Sequence, residues 1–71
     1  MNQVSPKKLL HSKWTKVEIV NKEKHFSIIE VEYDENQSVI KCVIRAEING
    51  TEYQLNWRDL KQPTVWRLGW Q

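Results

Sequence analysis

Six lysines fall within the first 24 residues, at Lys7, Lys8, Lys13, Lys16, Lys22 and Lys24, and rings stand among and just after them at Trp14, His25 and Phe26. Cations beside flat rings are what a nucleic-acid strand demands, because phosphates attract the first and unstacked bases lie on the second. At the other end of the chain Trp66 and Trp70 flank Arg67, and Trp and Arg are the residues most enriched at the hot spots of protein interfaces. The residues expected to touch a ligand are therefore Lys13, Trp14, Lys16, Lys22, Lys24, His25, Arg67 and Trp70. Trp14 opens a strand between lysines and Trp70 follows Gly69, so these two tryptophans are expected to be partly exposed. Trp57 and Trp66 alternate with apolar neighbours and are assigned to the core.

Catalytic and metal chemistry find no footing. The single cysteine, Cys42, excludes an internal disulfide, and His11, His25 and Cys42 are spaced far wider than the ligands of a zinc site. Cys42 falls on an apolar strand face, where a thiol behaves as a small hydrophobe. Glu30 with Glu32, and Glu47 with Glu52, occupy solvated strand positions rather than an acid–base pair. No glycine-rich phosphate loop is present, since the two glycines are a turn residue and Gly69. The expectation is a non-enzymatic protein with no cofactor and no metal.

Seventy-one residues form one domain near the lower limit of independent folding. With no disulfide or metal, the four tryptophans must supply much of the core, because each removes about 150–250 Å² from water when buried. There is no membrane-spanning run and no apolar leader in "MNQVSPKKLLHSKW". A lone reduced cysteine and no export signal lead to the expectation of a cytoplasmic protein. The net charge is +2, with the excess of lysine confined to the N-terminal third. That imbalance points to an anionic partner.

The elements that must position these groups are short strands. In "VIKCVIRAEINGTEYQLNW", Asn49-Gly50 between two alternating runs signals a hairpin with a type I′ turn. Pairing outward from it sets Ala46 against Tyr53, Ile44 against Leu55 and Cys42 against Trp57. "HFSIIEVEYD" is a second alternating run, joined to the first by the polar stretch Asp34–Ser38. "SKWTKVEIV" precedes them as a further strand, "RDLKQP" reads as one helical turn stopped by Pro63, and "TVWRLGW" supplies the last strand, with Trp66 and Leu68 on one side. Ser5-Pro6 resembles a helix start, and Leu9 and Leu10 of the short turn that follows are expected to pack back on the sheet. Residues 1–12 form a basic N-terminal arm with a short helix, and residues 13–71 a single small β domain. The fold expected is all-β: a five-stranded SH3-like or Tudor-like barrel, or a curled antiparallel sheet, with a short N-terminal helical turn.

The stretches "SKWT", "NKEKHF", "WRDL" and "WRLGW", in this order and spacing, resemble a family of small tryptophan-rich bacterial proteins known as conserved hypothetical proteins, or as a domain of unknown function. The resemblance runs from about Pro6 to the C-terminus. It implies no activity and carries no catalytic or ligand residues over. The function expected from the residues is a binding module for nucleic acid, acting through the N-terminal lysines and exposed aromatics. The alternative is a protein-interaction or assembly factor that uses an aromatic groove.

Overall fold

A computed structural model describes residues 1–71. Five strands, β1 (Lys13–Val20), β2 (Glu23–Tyr33), β3 (Val39–Ala46), β4 (Glu52–Gln54) and β5 (Trp66–Leu68), form one sheet. Its spatial order is β4-β3-β2-β1-β5, with antiparallel pairing throughout. Two short 3₁₀ turns, Pro6–Lys8 and Trp57–Lys61, complete the chain. Both helical turns fall where the prolines foretold them. The second opens on Asn56, whose side chain accepts from the Arg58 amide, at 3.1 Å. β4 and β5 lie at opposite ends of the order and do not pair, so the all-β chain takes the curled open sheet.

The curl is made by β1. Its pairing with β2 runs from Lys13 to Thr15 and resumes only at Val20, where the chain turns. In the interval Lys16 pairs with Trp66 of β5 and the Val17 amide donates to the Val65 carbonyl at 2.9 Å. β1 is thus paired on both sides at Trp14 and Thr15 and on the β5 side alone at Lys16, and a ladder interrupted on one side of a strand bends the sheet there.

The type I′ condition, positive φ at both central residues, is met at Asn21 (56°) and Lys22 (64°) between β1 and β2, not at Asn49-Gly50. There, only Gly50 is left-handed (φ 73°), and Glu47–Gly50 form a four-residue loop closed by the Gly50 amide on the Ala46 carbonyl at 2.8 Å. Ile44 consequently faces Tyr53 rather than Leu55. The shift is by two residues, which leaves every side chain on its expected face; alternation alone could not detect it. The side chain of Asn49 is committed elsewhere, donating to Glu23 (2.8 Å) and accepting from the Thr51 amide (2.9 Å). Because β4 stops at Gln54, Trp57 sits in the second 3₁₀ turn instead of facing Cys42.

The core lies on the concave side and comprises Leu9, Trp14, Phe26, Ile28, Cys42, Ile44, Ala46, Leu60 and Trp66. Residues 1–12 are tied into it. The Asn2 side chain donates to the carbonyls of Leu60 (2.8 Å) and Trp66 (2.7 Å), and the His11 amide to that of Ile28 (2.9 Å). Leu9 is buried, but Leu10, expected beside it, faces solvent. Leu68 is likewise exposed, because it stands at the rim of the sheet while Trp66 reaches the centre.

The decisive correction concerns Trp14, expected to be partly exposed and found 1 % accessible. It pairs with Phe26 on one side and Leu68 on the other, and its indole N–H donates to the Ser12 hydroxyl at 2.9 Å. The strand's apolar Val17, Ile19 and Val20 are the exposed ones. In β1 the lysine-flanked residue faces inward because the core needed a large ring there, and the apolar alternation of Val17 and Ile19 misstates the buried face.

Candidate nucleic-acid interface

Gly69 decides where the C-terminal aromatic goes. Its φ of 74° is a conformation that only glycine takes at little cost, and it turns the chain back across the convex face. The Gly69 amide donates to the Lys13 carbonyl (2.8 Å), and Thr15 clamps the segment by donating to the Gly69 carbonyl (2.7 Å) and accepting from the Gln71 amide (2.9 Å). Thr15 is buried by these contacts. Trp70 then lies against β2, its indole N–H donating to the Phe26 carbonyl at 2.9 Å. It keeps 45 % of its surface exposed.

A cation and an imidazole flank this ring. The Lys13 ammonium stands 4.0 Å from its centroid, and the His25 imidazole lies 5.8 Å away and within 2.9 Å of the Gln71 carbonyl. A shallow hollow of about 220 Å³ adjoins it, bordered by Thr15, Val17, Ile19, Lys24, Arg67 and Gln71. The ion pairs of the molecule are Lys41–Glu30 (2.7 Å) and Arg45–Glu47 (3.6 Å). Lys13 thus carries unpaired positive charge over a half-exposed indole, and Lys24 and Arg67 carry theirs around the adjoining hollow. Glu47 limits the field on one flank; the hydroxyl of Ser27, ahead of the charge of Arg45, holds its carboxyl below the ordinary value.

Of the residues singled out from the sequence, Lys13 and His25 meet Trp70, while Lys24 and Arg67 border the adjoining hollow, which touches that group through Thr15 and Gln71. Lys22 stands apart at the tip of the β1–β2 turn. Lys16 borders the hollow, but its ammonium lies over the Trp66 ring at 5.2 Å, on the concave side. Trp14 is core and offers no stacking surface.

The concave side holds a group that sequence reasoning missed. Glu23, 7 % exposed, accepts from the Tyr53 hydroxyl (2.7 and 2.9 Å) and from the Asn49 side chain (2.8 Å). The Asn49 bond first, then the Tyr53 bond, with Lys16 adding to them, lower the Glu23 pKa, so the carboxylate is charged; Tyr53 is raised by the same contact. No local pattern could have signalled this, since 26 and 30 positions separate the partners. Cys42 is enclosed by the core and its thiol is pushed up to about 11 by burial. No three metal-ligating side chains converge, and no helix is long and apolar enough to cross a membrane.

Compared with known proteins, the chain matches over residues 12–71 the sequence profile of the family described as Tryptophan-rich protein (DUF2389). No curated protein and no solved structure matches it.

Proposed function

The chain belongs to the tryptophan-rich DUF2389 family, and on that premise we propose that it is a non-enzymatic binding module for single-stranded nucleic acid. One observation carries the reading: unpaired Lys13 stands over the half-exposed ring of Trp70, and Lys24 and Arg67, also unpaired, border the neighbouring hollow along Thr15 and Gln71. Such a face fits a strand whose phosphates meet the cations while a base lies on the indole. Duplex DNA suits it less well, because a convex sheet with one protruding ring presents neither helix nor ribbon to a groove. The SH3-like reading of the strand order, with a 3₁₀ turn between β4 and β5, belongs to the same proposal. So does a cytoplasmic location, which the free thiol of Cys42 favours.

The test is binding of a short fluorescent single strand across salt concentrations. Three phosphate contacts give a log–log slope near −2, at about −0.7 per contact for single strands, and Lys24→Ala or Arg67→Ala reduces its magnitude by about 0.7. Affinity that is independent of salt refutes the reading. It would favour a protein partner instead, for which Val17, Ile19, Val20 and Val65, exposed along the outer part of β1 and before β5, form the apolar surface.

A further inference from the structure

The concave side opens between the β1–β2 turn and the second 3₁₀ turn into a pocket of about 500 Å³, within the size range of small-molecule sites. Its depth is aromatic. Phe26 meets Trp66 edge to face at 5.1 Å and Tyr53 at 6.5 Å. Its charged groups are Glu23 and Asp59 against Lys16, a formal balance of −1. An anion entering here meets two carboxylates, and a neutral apolar molecule leaves that charge uncompensated.

Lys16 reveals what the pocket attracts. Its ammonium makes no ion pair within 4.0 Å, yet it is half-buried and rests 5.2 Å from the Trp66 centroid, in the field of Glu23. An aromatic face holding an ammonium without a salt bridge is the interaction by which proteins recognise organic cations. We propose that this pocket binds a small quaternary ammonium group on a short alkyl stem, which displaces the Lys16 ammonium from Trp66. A methylated cation is favoured over a primary amine because it sheds its weaker hydration at less cost, whereas a primary amine only duplicates Lys16. Tyr53 and Val20, both exposed at the entrance, give the alkyl stem its contact. This site is separate from the convex face around Trp70.

The experiment is a titration of the full chain with choline, followed by the NMR signals of the Trp66 indole and Tyr53. In parallel run 3,3-dimethylbutanol, which has the same shape without the charge, and 3,3-dimethylbutanoate, which reverses it. Choline is expected to give saturable shifts at these two residues with a Kd of about 10 mM or tighter. The neutral isostere should bind roughly ten-fold more weakly, and the anion not at all. Lys16→Ala removes the internal competitor and should tighten choline binding several-fold. Asp59→Asn, at an exposed side chain with no hydrogen-bond partner of its own, keeps the fold and should weaken it two- to three-fold. Trp70→Ala should leave it unchanged. The proposal is overturned if the isostere binds as tightly as choline, if Lys16→Ala weakens binding, or if neither the natural chain nor Lys16→Ala gives a saturable shift.

Discussion

Replacing Trp70 by alanine separates its structural role from its proposed binding role. Full burial of a tryptophan removes about 150–250 Å² from water. At 45 % exposure Trp70 hides roughly half of that, about 100 Å², worth about 2–3 kcal/mol at about 25 cal/mol per Å². The hydrogen bond to the Phe26 carbonyl contributes little to the difference, because water reaches that oxygen once the indole is gone. A domain of this size has about 3–5 kcal/mol in hand, so Trp70→Ala should remain folded at low temperature, with a lowered urea midpoint. Trp14, at 1 % exposure, loses about 3–5 kcal/mol on truncation, and Trp14→Ala should be largely unfolded. Circular dichroism in urea measures both. Once Trp70→Ala is confirmed folded, its affinity for a single strand should fall by about 5- to 150-fold, the worth of about 1–3 kcal/mol of base stacking. If Trp70→Ala unfolds as readily as Trp14→Ala, the ring belongs to the core. If the folded variant binds as tightly as the natural chain, the convex face is not the binding site.

Lys22→Gly should raise stability by about 1 kcal/mol, since Lys22 holds a left-handed backbone (φ 64°) that disfavours a side chain; a shift of the urea midpoint reads it. Gly50→Ala should cost about 1 kcal/mol for the same reason at φ 73°, with no steric term because nothing lies within 4 Å of the added methyl. The depressed pKa of Glu23 makes its contribution to stability complete above the unfolded value near 4.5 and lost as pH falls through the lower folded value. Urea midpoints from pH 7 to 3 should therefore decline less steeply for Glu23→Gln than for the natural chain. Cys42, with its thiol near 11, should resist a thiol reagent at pH 8 in the folded protein and react promptly in denaturant.

The legible parts of this chain are those settled by neighbours in sequence. Asp34–Ser38 reads as a polar connection, and Asp34 indeed accepts from the amides of Asn36 and Ser38, both at 2.9 Å. Pro6 and Pro63 locate the helical turns, and alternation assigns Ile44, Ala46 and Cys42 to the buried face. Register was not legible at Asn49-Gly50, because a two-residue slip preserves the alternation and was decided by the distant contact of Asn49 with Glu23. Trp14 was misplaced because β1 lies between β2 and β5, so the environment of that strand depends on a partner more than fifty positions away.

By itself, then, the sequence determined an all-β chain of five short strands, with no internal disulfide to staple it and its excess of lysine toward the N-terminus. Tertiary structure decided which of its tryptophans meet solvent. It placed Trp14 at the centre and Trp70 outside, and it set Lys13 over the second. Alternation specifies that a strand has two faces, but not which face the rest of the molecule will cover. That is settled only when the curl of β1 and the turn at Gly69 bring the chain's two ends onto one sheet.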